Sequence, residues 1–373
     1  MKIIIITMGR TSINQGKFYN LQDMGLAKAL VKRGHSVELY NFVCGDKDEI
    51  LYLSPELTVS YLHAKAIGIH TLHTFDFITE DANAVVCYSD NQLLYRNVVK
   101  QCKNKGVLLI PYVGVVGSHN RNKIVSIVLD LLIPNKRIYQ TQHVLAKTPA
   151  VKSEMQSLGI PQVTIAPACL DLEAVQSNYN DVDRNEVREQ LGVATDAKMI
   201  LFIGRMIEEK RPEDMLTIFL MVREKMPDAS LVMIGKGILL EKTMQLCKEY
   251  GLDHSCRIIP QISNEEIWRY YIAADVFVNL NKVEIFGMSL LEAMYYECPV
   301  VAWHAPGPDY IFTDGKTAYL CDSSEKIADR IVEILKERPK DLVLEAKQHV
   351  GMHFTWNSTA EIIEKVIWEL KHE

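Results

Sequence analysis

Short apolar runs alternate with longer amphipathic stretches along most of the chain. The first apolar run is KIIIITM, near the amino terminus, and the amphipathic stretch NLQDMGLAKALVKRG follows it after a polar loop. Short continuous apolar runs are typical of strands buried on both faces, whereas apolar residues that recur every three or four positions predict helices. The pattern therefore predicts parallel β-sheets covered by helices on both faces.

This alternation occurs in two series. The first series ends with HVLAKT at residues 143–148, and the second runs from KMILFIG at 198–204 to CPVVAW at 298–303. A polar stretch at 176–193 separates them, so we place the boundary near 168–195. The two series predict two doubly wound α/β domains. Because ligands of open parallel sheets bind beyond the carboxyl ends of the strands, we expect the domains to face each other across a cleft that holds the site.

The composition is that of a folded globular protein. Of the 373 residues, 48% are hydrophobic and 24% are charged, a balance that supports a packed core. The eight cysteines are scattered without a CxxC pair, which argues against a zinc ribbon or a disulfide framework and fits a reduced cytoplasm. No apolar run reaches the roughly 18 residues of a membrane span, and the opening run is too short for a secretory signal. We therefore expect a soluble, cytoplasmic protein.

Charge is distributed unevenly between the two halves. Residues 1–170 hold 18 Lys and Arg against 12 Asp and Glu, whereas the rest of the chain holds 23 against 35. Such an asymmetry suggests a different partner for each half and favours an anionic or lipid-linked partner for the first. Because the net charge is −6 and no dense basic stripe occurs, we expect no nucleic acid partner.

Two basic residues follow the first strand of the second series, in the segment LFIGRMIEEKRPEDML. Gly204 and Arg205 end the predicted strand, and Lys210 follows shortly before Pro212 opens a helix. Two cations at the carboxyl end of a strand suit a diphosphate, since Arg offers a fork of donors and Lys a point charge. The alternative is that both cations pair with neighbouring acidic residues on the surface.

Two glutamates flank a glycine in the segment NKVEIFGMSLLEAMYY. Gly287 allows the backbone to approach a ligand, and the amides of the first helical turn, residues 287–290, carry partial positive charge that suits a phosphate. Glu284 in the loop and Glu292 in the helix can accept hydrogen bonds from sugar and ribose hydroxyls. The alternative for Glu292 is a capping box in which its side chain returns to the amide of Ser289.

Together these segments resemble the family 4 glycosyltransferases, which are retaining enzymes of the two-domain GT-B fold. Glu284 and Glu292 match the E-x7-E pattern of the family, and GRMIEEKRPEDML is similar to its G-R-x-x-x-x-K segment. APACLDLEAV at 166–175 resembles the inter-domain segment, with Asp171 matching. The resemblance implies an N-terminal acceptor-side Rossmann-like domain (1–170), a nucleotide-sugar-binding Rossmann-like domain (171–355) and a C-terminal helix that crosses back (356–373).

The resemblance also implies roles for individual residues. Arg205 and Lys210 would neutralise the leaving diphosphate. Glu284 would hold the hydroxyls of the donor sugar, and Glu292 would bind the ribose. His119, in the glycine-rich loop PYVGVVGSHN, matches a family histidine that lies near the donor sugar. The other residues expected to contact the donor are Gly16, Gly204, Phe286, Gly287, Met288, Ser289 and Leu290.

The expected function is transfer of a sugar, with retention of configuration, from a nucleotide sugar to the hydroxyl of a carbohydrate or lipid-linked acceptor. In the family the donor is commonly a UDP-sugar, and the setting is commonly bacterial cell-surface polysaccharide or glycolipid synthesis. We expect no cofactor and no metal, because two cations and a helix terminus supply the charge. The DxD sequences at 46–48 and 181–183 are expected to be solvated turns.

Two other functions compete with this expectation. A catalytically silent protein of the same fold would bind the sugar nucleotide without turnover, although the intact Arg205, Lys210 and Glu284 argue against it. A nicotinamide-dependent oxidoreductase should show G-x-G-x-x-G after the first strand, and TMGRTSINQG does not supply it.

The segment 121–137 joins a run of apolar residues to basic ends. The pattern favours a helix that packs on the sheet and leaves open peripheral contact with the inner face of an anionic membrane.

Overall fold

The computed structural model describes residues 1–11, 21–43, 47–67, 70–116, 133, 135–176 and 182–372. The chain divides into two compact units. The first unit comprises Met1–Asp171 together with Trp356–Glu373, and the second unit comprises Leu172–Thr355.

The strands and helices alternate along most of the described chain. The strands are β1 (Lys2–Thr11), β2 (Ser36–Val43), β3 (Glu49–Ser54), β4 (Leu57–His63), β5 (Lys65–Ile67), β6 (His70–Leu72), β7 (Ala84–Tyr88), β8 (Leu108–Val113), β9 (Val144–Ala146), β10 (Val163–Ile165), β11 (Lys198–Ile203), β12 (Ala229–Ile234), β13 (Cys256–Ile259), β14 (Val276–Asn279), β15 (Val300–Trp303) and β16 (Tyr319–Cys321). The helices are α1 (Gln22–Lys32), α2 (Tyr95–Lys105), α3 (Asn135–Tyr139), α4 (Pro149–Ser157), α5 (Leu172–Gln176), α6 (Arg184–Gln190), α7 (Pro212–Lys225), α8 (Leu240–Glu249), α9 (Ile267–Ala273), α10 (Met288–Tyr295), α11 (Pro306–Ile311), α12 (Ser324–Lys336), α13 (Lys340–His353) and α14 (Trp356–His372).

The sheet of the first unit is ordered β10-β9-β8-β7-β1-β2-β4-β3, with β5 and β6 paired beside β1. The central strand β1 lies parallel to both β2 and β7, and its residues Ile3, Ile4, Ile5 and Ile6 are fully buried. Successive strands after β1 are added on one side and those after β7 on the other. The order of the strands therefore reverses between β1 and β7, which is where open α/β sheets bind ligands.

The sheet of the second unit has six strands, all parallel, in the order β13-β12-β11-β14-β15-β16. Its core is formed by the apolar faces of α7 and α12 on one side of the sheet, with Phe219 and Ile331 fully buried. Strands after β11 run outward in one direction and strands after β14 in the other, so the order reverses between β11 and β14. The prediction of two doubly wound α/β units is confirmed.

The hairpin of β3 and β4 and the short pair β5 and β6 are not part of the predicted pattern. The strand β3 pairs only with β4, in antiparallel register, at one edge of the sheet. Its side chains alternate between half-buried and exposed at most positions, so β3 lacks the continuous apolar run by which the other strands were predicted.

The carboxyl-terminal helix α14 belongs to the first unit. A methyl group on Gly25 of α1 would lie 2.2 Å from the indole Nε1 of Trp356, so the two helices approach closely at a glycine. The guanidinium of Arg33 donates to both oxygens of Glu364 at 2.8 and 2.7 Å, and His35 contacts the same carboxylate at 2.7 Å. The hydrogen bond from Arg33 lowers the pKa of Glu364.

No helix in the described ranges is both long and apolar enough to cross a bilayer. Seven cysteines lie in the described part of the chain, and all seven are buried free thiols. Burial raises the pKa of Cys169 to about 12 and that of Cys298 to about 12, so these thiols are protonated at neutral pH.

Candidate functional site

The carboxyl ends of β11 and β14 lie side by side at the point where the strand order of the second unit reverses. The chain leaves β11 through Gly204 and Arg205 and then forms a short 3₁₀ turn that ends at Lys210. It leaves β14 through the loop that contains Glu284. Strand pairing thus brings together the two segments in which the sequence predicted donor-binding residues.

The side chains of Lys210 and Glu284 form an ion pair across these two loops. Lys210 Nζ donates to Oε2 of Glu284, and the side-chain amides of Asn279 and Asn281 donate to the same oxygen at 3.4 and 3.2 Å. Asn281 in turn accepts from the amide of Val283 at 3.0 Å, which fixes the loop. The exposed fractions of the Lys210 and Glu284 side chains are 20% and 13%, so solvent screens the pair only in part.

The side chain of Arg205 is exposed and forms no ion pair with any described residue. Two of the acidic residues that could have paired with it have other partners. Glu213 accepts from Lys242 at 2.7 Å, and Asp214 pairs with Arg211. Arg205 therefore lacks a local acidic partner among the described residues, and its role at a diphosphate stays a prediction.

The helix α10 begins directly after Gly287, whose φ of 99° lies in the left-handed region that favours glycine. Gly287, the N-cap residue, offers no side chain to cap this end of the helix. Ser289 lies inside the first turn, with Met288 before it and Leu290 after it, so it does not occupy the N-cap position that a capping box with Glu292 requires. The uncapped first turn of an eight-residue helix lies directly after the loop of the ion pair.

Glu292 lies one turn further along α10 and is half-buried. Its Oε2 accepts a hydrogen bond of 3.1 Å from the hydroxyl of Tyr271. The ring of Tyr271 is stacked on Tyr296, with ring centroids 6.1 Å apart, and meets Phe277 edge-on at 5.5 Å. Because Tyr271 is held between two aromatic rings, it fixes the position of the Glu292 carboxylate.

Gly307 at the start of α11 supports the loop between β14 and α10. Its amide donates to the backbone carbonyl of Glu284 at 2.7 Å. A methyl group at this position would lie 2.2 Å from the carbonyl oxygen of Phe286, so no other residue fits without displacing the loop. Gly307 was not predicted as part of the site, although the surrounding Pro-Gly-Pro is a local sign of a constrained turn.

A second group that the sequence analysis missed surrounds Trp303 at the end of β15. Lys282 Nζ lies 3.8 Å from the centroid of the indole ring, and the guanidinium carbon of Arg211 lies 5.4 Å from it. Lys282 is close in sequence to Glu284, and Arg211 is adjacent to Lys210. The indole Nε1 of Trp303 is buried and has no hydrogen-bond partner within the described ranges. Trp303 had been predicted only as part of a buried strand.

His119 and Gly16 lie outside the described residues, as does most of the segment 121–137. Their predicted roles stay predictions. Asp183, which ends one of the two DxD sequences, caps α6 by accepting the amide of Asn185 at 2.7 Å. In the part of the chain that the structure describes, no three His, Cys, Asp or Glu side chains are grouped as a metal site.

Residues 183–349 match the family described as Glycosyl transferases group 1. The D-inositol 3-phosphate glycosyltransferase of Corynebacterium diphtheriae is 30% identical over 189 residues, which are 48% of this chain and 44% of that protein. The chain spans about half the length of the bacterial curated relatives that it matches.

Solved structures show the same architecture over the whole chain. Sucrose-phosphate synthase from Thermosynechococcus elongatus superimposes with a TM-score of 0.77 at 17% identity, covering 100% of both chains. Anabaena HepE in complex with UDP-glucose gives a TM-score of 0.71 at 14% identity, covering 99% of this chain and 100% of that one. The fold is therefore GT-B, as the sequence predicted.

Proposed function

We propose that the protein is a retaining, metal-independent glycosyltransferase that moves a sugar from a nucleotide sugar, most simply a UDP-sugar, to an acceptor hydroxyl. The observation that carries this proposal is the Lys210–Glu284 pair, which joins the segment that follows Arg205 to the loop that precedes the first turn of α10. The group 1 match at 183–349 supports the reaction class. The likeness to a protein solved with UDP-glucose supports the choice of donor.

The diphosphate is expected to bind where these positive groups converge. Arg205 provides a planar fork of donors, and Lys210 provides a compact ammonium. The first turn of α10 provides backbone amides that carry partial positive charge. As the bond between the sugar and the diphosphate breaks, the negative charge on the leaving oxygen grows. Groups that are already in place stabilise this charge without reorganisation, and this effect is commonly the largest in enzymatic catalysis.

The two glutamates are expected to hold the neutral parts of the donor. All three donors that the described residues offer to Glu284 reach its Oε2, so Oε1 faces none of them and can accept from hydroxyls of the sugar. We expect Glu292, whose carboxylate accepts from Tyr271, to accept also from the two ribose hydroxyls. Holding the sugar at one end and the nucleoside at the other orients the bond to be broken.

The proposed step needs no covalent enzyme intermediate. The acceptor oxygen bonds to the anomeric carbon on the face from which the diphosphate departs, and the pair of electrons of the broken bond goes to the leaving phosphate oxygen. That oxygen takes the proton of the acceptor hydroxyl. The configuration at the anomeric carbon is kept because the new bond forms on the face from which the diphosphate leaves. We place the reaction in the cytoplasm, in the assembly of cell-surface polysaccharide or glycolipid.

The binding test is a thermal-shift screen of the full chain against UDP-, GDP-, ADP- and dTDP-sugars. A donor at about 100 times its Kd should raise the free energy of unfolding by about 2.7 kcal/mol. Lys210→Met and Glu284→Gln should each lose most of this stabilisation. Lys248→Met, which removes an exposed lysine of α8, serves as the matched control and should behave like the wild type.

Turnover separates the proposed enzyme from a silent binding protein. Release of UDP and free sugar from the stabilising donor, followed by chromatography, should occur slowly without an acceptor in the wild type and be absent in Glu284→Gln. Binding without any hydrolysis or transfer would identify a sugar-nucleotide-binding protein. If no nucleotide sugar stabilises the protein, or if Lys210→Met transfers sugar at the wild-type rate, the proposal is wrong.

A further inference from the structure

The first unit has its own reversal point, between β1 and β7, and side chains from four elements meet at the carboxyl edge of the sheet beside it. Thr7 of β1 is the parallel partner of Tyr88 at the end of β7. Lys147 follows β9 directly, and Gln22 opens α1. Open α/β sheets bind ligands at this place, so the chemistry of these side chains indicates which ligand the first unit takes.

Lys147 is held in one position by its surroundings. Its ammonium lies 5.7 Å from the ring centroid of Tyr88 and 5.6 Å from that of Tyr112, and it donates to the side-chain oxygen of Gln22 at 3.2 Å. Its aliphatic stem crosses Gly114, where a methyl group would come within 3.0 Å of the Lys147 Cδ. Two aromatic faces and a glycine therefore order a side chain that is usually mobile on a protein surface.

The charge of Lys147 is not neutralised within the described ranges. It forms no ion pair there, and two carboxylates on neighbouring elements accept hydrogen bonds from other donors. Asp90 accepts the amide of Gly114 at 2.7 Å, and Asp23 accepts the hydroxyl of Thr7 at 3.1 Å. An ordered ammonium without a carboxylate partner at a ligand-binding edge suits an anionic group of the ligand.

We propose that Lys147 binds an anionic group, a phosphate or a carboxylate, on the sugar-like acceptor, and thereby selects acidic over neutral acceptors. This inference rests on the proposed function, in which the first unit takes the acceptor. The excess of basic residues over residues 1–170 favours the same class of acceptor.

The test compares three probes in the presence of saturating UDP, which fills the proposed diphosphate site of the second unit. Glucose, glucose 6-phosphate and glucuronate are titrated against the full chain in a thermal-shift assay. Glucose 6-phosphate or glucuronate should raise the melting temperature more than glucose does, and the stronger of the two identifies the anion as phosphate or carboxylate. Equal shifts for all three probes would overturn the proposal.

Variants show whether Lys147 carries the effect. Lys147→Met keeps the apolar stem and should lose the preference for the acidic probe at least tenfold in apparent Kd, whereas Lys147→Arg, which keeps the charge, should retain part of it. Lys103→Met removes an exposed lysine of α2 and should leave the preference unchanged. An acidic preference that survives in Lys147→Met would refute the assignment.

The same measurements separate this inference from the proposed function. If UDP stabilises every variant while the acidic probes have no effect on the wild type, only the acceptor assignment fails. If none of the four nucleotide sugars stabilises the wild type, the proposed function fails first. Lys147→Met should melt within a few degrees of the wild type without ligand, because no ion pair in the described residues depends on it.

Discussion

Replacing the buried Arg188 with methionine is expected to destabilise the second unit by about 3–5 kcal/mol. The side chain of Arg188 is 1% exposed. Its Nη2 donates to Asp275 at 2.8 Å and its Nε to the carbonyl of Ala273, at the carboxyl end of α9, at 2.9 Å. Its Nη1 donates to three carbonyls within residues 194–197. One guanidinium therefore ties α6 to the start of β14.

The magnitude follows from these contacts. Each hydrogen bond contributes about 1 kcal/mol net, so the five bonds of the guanidinium together contribute about 3–5 kcal/mol. Asp275 keeps Arg184 at 2.6 Å and the amide of Met199 at 2.8 Å, so its charge stays paired, and the methionine still fills the apolar space. For a unit of this size 1 kcal/mol corresponds to about 2–4 °C, so the melting temperature should fall by about 6–20 °C.

Urea and thermal unfolding followed by circular dichroism measure this loss. Arg257→Met, which removes an exposed arginine of β13, is the matched control and should change stability by less than about 0.5 kcal/mol. Arg188→Lys keeps the charge but offers fewer donors, so its stability should fall between those of the wild type and Arg188→Met. A loss below about 1 kcal/mol in Arg188→Met would refute the reasoning, because the carbonyls would then have found other donors.

Gly307→Ala places a methyl group 2.2 Å from a carbonyl oxygen of the loop before α10, and calorimetry should show UDP-glucose binding about tenfold more weakly; an unchanged Kd would contradict this. Tyr271→Phe removes the hydrogen bond that positions Glu292 and should weaken UDP by about 0.5–1.5 kcal/mol in the same titration, with equal affinity as the contrary result. The hydrogen bond from Arg33 lowers the pKa of Glu364 below its usual 4.5. The stability that this carboxylate contributes is therefore present at neutral pH and lost as the pH falls below about 4.5 through the lowered pKa. Glu364→Gln should flatten this acid limb in thermal unfolding between pH 7 and 3, and curves that stay parallel would count against it.

Local patterns in the sequence were sufficient to predict the sheets but not every boundary. The run at 198–204 predicted β11 closely, since a buried parallel strand is apolar throughout. The apolar run at 143–148 predicted a longer strand than the observed β9. The strand ends early because Thr148 caps α4, where its side chain accepts a hydrogen bond from the amide of Val151 at 3.3 Å. A threonine fits a strand and a helix cap equally well, and only the following Pro149 distinguishes them.

The candidate site was predictable as a set of segments and not as a set of contacts. Arg205, Lys210 and Glu284 follow strands, and a doubly wound sheet brings the ends of such strands together. That Lys210 reaches Glu284, 74 positions away, depends on the register of two strands, which no local pattern encodes. Trp303 was not predicted as a site residue, because an apolar residue at the end of a buried strand usually serves only in packing.

The ion pair between Lys210 and Glu284 has a consequence for the end of the proposed reaction. In the proposed complex a nucleotide sugar would compensate both residues if it separated them, with its phosphate at the ammonium and its hydroxyls at the carboxylate. After transfer of the sugar, the phosphate of the nucleotide product would still pair with Lys210, whereas Glu284 would no longer accept hydrogen bonds from the sugar. Glu284 then competes with the nucleotide product for Lys210. We therefore expect the site to release the nucleotide more readily than the nucleotide sugar.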